Sequence, residues 1–211
     1  MSYKIIESKE LLTHYLSNNC LAIFPTDTVY GIGCKLGNVN GVDQIFKLKR
    51  RPDNFSIAVL VNSTEMAKTL GYFDERYVQL IHTHWPGPLT VVVNSKIESK
   101  QLRISKDDSI GIRWPKSTLL DEIISITGPL VTTSVNLHGQ PPATHKKEVV
   151  DFLLKIEDAN NKEINDGEIA VYLEATSSAQ PSTVIDLRNN KVTILREGAI
   201  DRKSITQSFN N

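Results

Sequence analysis

Phe24-Pro25-Thr26-Asp27-Thr28-Val29-Tyr30-Gly31-Ile32-Gly33-Cys34 decides how the rest of the chain is read, because a β-rich apolar run, Leu21 to Phe24, ends there in hydroxyls, a carboxylate and two glycines. Pro25 cannot donate to a sheet ladder, and Gly31 and Gly33 permit a backbone approach that a Cβ would block. Thr26, Asp27, Thr28 and Tyr30 place four polar side chains within five positions, where an ordinary turn uses one or two. Taken alone, the segment reads as a strand followed by an Asx-type turn. Its other reading, the lip of a binding site, depends on what the remaining strand ends carry.

Outward from this stretch, helical and strand periods alternate without an internal repeat. Ser8 is placed to cap a helix with Leu11, Leu12, Tyr15 and Leu16 on one face, which Asn18-Asn19 stops. Val42, Ile45, Phe46 and Lys49 mark a second amphipathic helix, ending in Lys47, Lys49, Arg50 and Arg51 before Pro52. Ile57 to Val61 is a short apolar strand; Asn62 and Glu65 have capping-box-like spacing before a helix closed by Gly71, and Asp74 to Thr83 reads as another. Trp85-Pro86-Gly87-Pro88 turns the chain into a strand from Leu89 to Val93. Ser109 to Arg113 alternates as a strand, Leu119 to Ile126 is a helix stopped by Gly128-Pro129, and Leu130 to Ser134 is extended. Thr144 is placed to cap a helix through Val149, Val150, Leu153 and Leu154. Ile169 to Leu173, Thr183 to Leu187 and Val192 to Leu195 are strands, the last two joined as a hairpin by Asn189-Asn190. This pattern predicts an α/β fold with a mixed sheet.

With 211 residues, 40% of them hydrophobic, the chain is most economically a single domain over residues 1–211. Its 24 basic and 24 acidic residues balance, so no global field draws it to nucleic acid or to an anionic membrane, and any polyanion must be held locally. No run approaches the ~18 apolar residues of a membrane span, and the N-terminus lacks an apolar leader, so a soluble, cytoplasmic protein is expected. Cys20 and Cys34 have neither disulfide nor zinc spacing and read as small buried or half-buried hydrophobes. The five histidines show no ligand spacing, His82 and His84 reading as surface residues, and no metal-ligating set is expected. A P-loop, a dinucleotide fingerprint, an HExxH helix and a GxSxG elbow are all absent.

What remains is cationic and hydroxylic. Lys49 and Arg51 at a helix end either complement its dipole and face water, or grip phosphates, the lysine as a point charge and the arginine as a fork. Arg113 lies in the apolar strand Ile110-Gly111-Ile112-Arg113-Trp114, where a guanidinium needs an anionic partner. Thr132-Thr133-Ser134-Val135-Asn136 and Ser182-Thr183 are strand ends rich in hydroxyl and amide groups, and Arg196 follows the strand paired with Thr183 to Leu187. Together these are the inventory of a nucleotide-polyphosphate cleft without a P-loop.

The ordered blocks P-T-D-T-V-Y-G-I-G (25–33), K-R-R-P (49–52), W-P-G-P-L-T (85–90), I-G-I-R-W-P (110–115), S-V-N (134–136), P-S-T-V-I-D-L (181–187) and L-R-E-G-A-I (195–200) resemble the YrdC/Sua5 family of threonylcarbamoyl-AMP synthases, over roughly residues 8 to 200. The resemblance is to the short, single-domain form. It implies an open, twisted mixed sheet flanked by helices, with a concave, positively charged cleft. It also implies formation of L-threonylcarbamoyl-adenylate and pyrophosphate from L-threonine, bicarbonate or CO₂, and ATP. That product is the precursor of N6-threonylcarbamoyladenosine at position 37 of tRNAs and is handed to a tRNA threonylcarbamoyl transferase.

Carried over position by position, the resemblance implies that Thr28, Arg113 and Ser182 contact threonine. Lys49, Arg51, Asn54, Ser109, Thr132, Ser134, Asn136 and Arg196 would contact ATP, with Lys49 and Arg51 acting on the reacting phosphates. Mg²⁺ would ride on those phosphates. The chain departs from common family patterns at Asn54-Phe55-Ser56, Leu60, Pro142, Pro181 and Asp166-Gly167-Glu168. A catalytically altered paralogue, binding nucleotide or RNA without threonine-dependent adenylate formation, is the alternative reading; the same concave face leaves room for weak RNA contact, although the neutral charge and 7% aromatic content speak against tight binding.

Overall fold

The computed structural model describes residues 2–50, 56–158, 168–173, 180–189 and 191–210. In chain order its elements are β1 (Ser2–Ile6), α1 (Lys9–Ser17), β2 (Ala22–Phe24), β3 (Gly31–Lys35), α2 (Val39–Leu48), β4 (Ala58–Leu60), α3 (Thr64–Leu70) and β5 (Gly71–Tyr72). A 3-10 turn at Glu75–Tyr77 leads into α4 (Val78–His84), followed by β6 (Leu89–Ser95), β7 (Ser109–Arg113), α5 (Thr118–Thr127), β8 (Leu130–Ser134) and α6 (Lys146–Asp158). The chain continues through β9 (Glu168–Tyr172), β10 (Thr183–Asp186), β11 (Thr193–Arg196) and α7 (Arg202–Asn210).

The strands form one mixed sheet in the order β1-β9-β2-β3-β8-β4-β7-β6-β10-β11, with β5 paired to β6. β1/β9, β2/β9, β4/β7 and β6/β10 run parallel, and the remaining pairs antiparallel. Alternation along each strand sends side chains into two cores on opposite faces. In β2, Ile23 enters one core and Ala22 and Phe24 the other; in β9, Ile169 and Val171 oppose Ala170 and Tyr172 in the same way. α1 and α5 cover the second face through Leu12, Leu16, Leu120, Ile123 and Ile124. The first face carries the larger core, including Val42, Ile45 and Phe46 of α2.

Most predicted elements are present, with local differences. Ser8 caps α1 by accepting from the Leu11 N–H, but Leu11 itself is exposed and only Leu12 and Leu16 are buried. Ser63, rather than Asn62, caps α3, while the Asn62 amide donates to Asp121 O and Ser125 Oγ. Thr144 does not accept from the helix it precedes. Instead the Glu148 carboxylate reaches back to the N–H groups of Thr144 and His145 and to the Thr144 hydroxyl, the carboxylate half of a capping box. His82 is exposed, but His84 is half-buried and within 3.0 Å of Ser208 Oγ on α7, and burial lowers its pKa. Cys34 is buried, its thiol pushed up to about 12 by desolvation, and Cys20 is half-buried.

Candidate functional site

Sheet register creates the site. Gly33 faces Thr132, Thr132 faces Ala58, Ala58 faces Gly111 and Gly111 faces Val92, one row across five neighbouring strands. On the opposite face the intervening residues are Val131, Val59, Ile112 and Val91, all in the larger core. The same strands are therefore bulky on one side and small or polar on the other. Where α1 and α5 cease to cover the small-residue face, a cavity of about 440 Å³ opens, lined by β3, β4, β6, β7, β8, β10 and β11.

The segment from Thr26 to Tyr30 forms one wall, and its polar residues divide the work. Thr26 makes the turn: its Oγ1 accepts from the N–H groups of Thr28 and Val29 and donates to Val29 O at 2.7 Å. The Thr26 and Thr28 hydroxyls also lie 3.0 Å apart. Thr28 Oγ1 then accepts from Arg113 Nη1 at 2.8 Å, Arg113 Nε donates to Gly87 O at 3.1 Å, and Arg113 Nη2 pairs with Asp27 Oδ1. The anion that the buried Arg113 requires is thus Asp27, one of the four polar residues between Thr26 and Tyr30. Arg113 is 6% exposed. Burial lowers its pKa, Asp27 opposes this, and the charge of Arg196 adds to the lowering. Three of its five N–H groups are used in these bonds, which leaves donors for a ligand carboxylate.

Beside this wall, where Gly31 pairs with Ser134, Lys49 is the C-cap of α2 and 2% exposed, so the solvated reading of its charge is overturned. Its ammonium donates to Ser134 O, to Asn136 O at 2.9 Å and to Asn136 Oδ1 at 2.7 Å. Ser134 Oγ also donates to Asn136 Oδ1, while Asn136 Nδ2 donates to the carbonyls of Leu137 and Gln140. The lysine, serine and asparagine form one knot that holds a positive charge in the cavity wall.

At the β10–β11 end, Arg196 donates to Ser182 O from Nε and Nη2 and to Ser182 Oγ at 3.1 Å, and Ser182 Oγ lies 2.9 Å from Thr90 Oγ1. The register between these strands shifts at Leu195, an irregularity that brings both Leu195 and Arg196 to the cavity despite strand alternation. Ser109 is buried on β7; its N–H donates to Asp107 Oδ1, and its hydroxyl lies 3.0 Å from Ser105 Oγ. Arg188 spans Asp107 and Asp186. Hydrogen bonding by Ser109, then Arg188 and Ser105, holds the Asp107 carboxyl well below the usual range. Among the described lining residues, Lys49, Arg113, Arg188 and Arg196 are cationic and Asp107 is the sole carboxylate.

The family model described as "Telomere recombination", for Sua5, YciO and YrdC proteins, matches residues 14–198. The chain belongs to the Sua5/YciO/YrdC family. It is 28% identical over 191 residues to a Methanocaldococcus jannaschii protein provisionally named threonylcarbamoyl-AMP synthase, covering 90% of this chain and 86% of that protein. It is 29% identical to the threonylcarbamoyl-AMP synthase of Bacillus subtilis, over 90% of this chain but 53% of the longer protein. Its fold matches that of P. abyssi Sua5 complexed with L-threonine (TM-score 0.83, 24% identity, 99% of this chain and 61% of that one). It also matches E. coli YciO (TM-score 0.77, 23% identity, 97% of this chain and 100% of that one).

Within this Sua5/YciO/YrdC fold, nine of the sequence-selected residues line the cavity: Thr28, Lys49, Ser109, Arg113, Thr132, Ser134, Asn136, Ser182 and Arg196. Arg51 and Asn54 lie outside the described residues. Asp27, Thr90, Asp107 and Arg188 belong to the site's polar network and were not selected from sequence. For Asp27 the signal was present, since a buried arginine demands a carboxylate, but its location was not; Asp107 and Arg188 sit 81 positions apart and only folding joins them.

Proposed function

We propose that this Sua5/YciO/YrdC chain joins L-threonine, bicarbonate or CO₂, and ATP into L-threonylcarbamoyl-adenylate and pyrophosphate, the first step toward N6-threonylcarbamoyladenosine in tRNA. The observation that carries the reading is a pair of fixed cations lining one cavity: Arg113 held by Asp27 and Thr28, and Lys49 within the Ser134–Asn136 knot. Threonine's carboxylate suits the remaining guanidinium donors of Arg113, with Thr28 and Ser182 nearby, and ATP suits Lys49, Ser109, Thr132, Ser134, Asn136 and Arg196. Arg51 and Asn54 join that nucleotide set by family resemblance.

The threonine amine adds to CO₂ and loses a proton to give a carbamate. A carbamate oxygen then attacks the α-phosphorus, and pyrophosphate leaves. No enzyme nucleophile is needed, so the protein's contribution is to position two substrates and offset developing phosphate charge. The labile carbamate and mixed anhydride would require bulk water to be kept from the reacting atoms once the substrates fill the cavity. Among the described residues no three acidic, histidine or cysteine side chains converge, and Asp107 is already committed to Arg188. Mg²⁺ would arrive on the ATP phosphates, whose oxygens are ligands it favours. Among the described residues no helix is long and apolar enough to cross a membrane; we place the enzyme in the cytoplasm, where its product passes to a tRNA threonylcarbamoyl transferase. Contact with RNA, if any, would be weak.

The test is pyrophosphate release in the absence of RNA, omitting one component at a time. Release is expected to require threonine, bicarbonate and MgATP together. Release indifferent to threonine, or seen only with tRNA present, would overturn the proposal in favour of an altered paralogue.

A further inference from the structure

Gly111 occupies the middle of β7, where a glycine weakens a strand and wants a reason. Its backbone supplies none, for it is absent from the positive-φ residues. Nor do its neighbours: a Cβ built there would meet Thr90 Cγ2 at 3.7 Å and Ala58 Cα and Val92 Cγ2 at 4.0 Å, which is ordinary contact. Gly33, in the same row, is different. Its Cβ would lie 2.5 Å from Val131 O and 2.7 Å from Thr132 Oγ1, so packing demands that glycine. Gly31 is likewise held by Thr132 Cγ2 at 2.7 Å. The fold accounts for Gly31 and Gly33 and leaves Gly111 unexplained.

Gly111 faces the cavity, between Ser109 and Arg113 on the same face of the strand. Each flanking side chain stands about 6.7 Å away along the strand. Two positions across its row, Thr132 Oγ1 is buried without a hydrogen-bond partner among the described residues. We infer that Gly111 is a position the reaction needs empty: its absent side chain makes the space in which threonine's carbamate, anchored toward Arg113, and the α-phosphate of ATP, anchored toward Ser109, approach each other.

The inference rests on the proposed reaction for the identity of the two ligands. Gly111→Ala should fold with unchanged or raised thermal stability, and Gly111→Val carries a larger side chain into the same space. L-threonine alone and MgATP alone should bind the alanine variant within about threefold of wild type. Turnover should fall by ~10²-fold with alanine and further with valine, because displacement of about 1 Å at the reacting atoms has an effect of that size. Wild-type turnover in the valine variant would overturn the inference, as would failure of both variants to fold, which would return the glycine to packing. A loss confined to the affinity of one substrate, with kcat intact, would overturn it too, by moving Gly111 into that substrate's subsite alone. The wild-type control separates this from the reaction itself: without threonine-dependent pyrophosphate there, the proposed function fails first.

Discussion

Removing the Asp27 carboxylate should destabilise the protein through the charge it leaves behind. Arg113 is 6% exposed, and its Asp27 partner has a side-chain exposure of 13%. Deleting one member of such a buried pair costs about 3–5 kcal/mol, because the other charge is left in a poorly polarisable place. The Thr28 and Gly87 acceptors remain but are neutral. At about 2–4 °C per kcal/mol for a chain of this size, Asp27→Ala should lower Tm by about 6–20 °C. Asp27→Asn, which keeps an acceptor, belongs at the lower end. Two further measurements isolate the cause. Asp27→Ala combined with Arg113→Met removes both charges and should recover much of the loss, since apolar replacement of a buried pair is often neutral. L-threonine, which carries its own carboxylate, should raise the Tm of Asp27→Ala more than that of wild type; at about 100 times Kd any such ligand adds ~2.7 kcal/mol. The assay is thermal unfolding with a four-member mutant cycle. A drop below about 2 °C for Asp27→Ala, or a double variant that loses the sum of the single losses, would refute the reasoning.

Two more expectations concern the cations. Lys49→Met keeps the bulk of the α2 C-cap residue but strips three acceptors of their donor, so stability should fall by about 1–3 kcal/mol and turnover by at least ~10²-fold; urea titration and pyrophosphate release measure the two, and turnover at the wild-type rate would return Lys49 to a structural role. Burial by itself raises the Asp186 pKa, but its bonds from Arg188 outweigh this and the net shift is downward. A depressed carboxylate contributes stability that is present above its unfolded pKa, near 4, and lost as pH falls through the folded value. Stability should therefore decline on acidification below about pH 4, and Arg188→Gln should flatten that decline; an unchanged slope in acid unfolding of the variant would contradict the assignment.

The candidate site was legible where chemistry and period coincide. Ser109, Gly111 and Arg113 alternate with Ile110 and Ile112, and that two-residue period alone placed the polar set on one face of a strand. Ser8 and Gly128 bounded their helices by capping chemistry that involves only neighbours in sequence. The close approach expected at Gly31 and Gly33 is the one Thr132 and Val131 make, but the two glycines depress strand propensity and so obscured the β3 strand itself. β1 and α7 went unnoticed at the ends of the chain: β1 is an edge strand whose pairing partner β9 lies over 160 residues away, and α7 takes its place from contact with α4.

By itself, then, the order of residues determined the alternation of helices and strands, the family, and the residue types at the strand ends, because each depends on local period or on motif. Tertiary structure decided the rest. Which strands adjoin, and hence that Gly33, Thr132, Ala58, Gly111 and Val92 form one row, follows from hydrogen-bonded register between segments far apart in the chain. That Asp27 serves Arg113 rather than its own turn depends on the same assembly: Thr26 completes the turn, and a buried guanidinium 86 positions away takes the carboxylate that is left. Pairing of this kind depends on distance and desolvation in the folded state, which no spacing along the chain records.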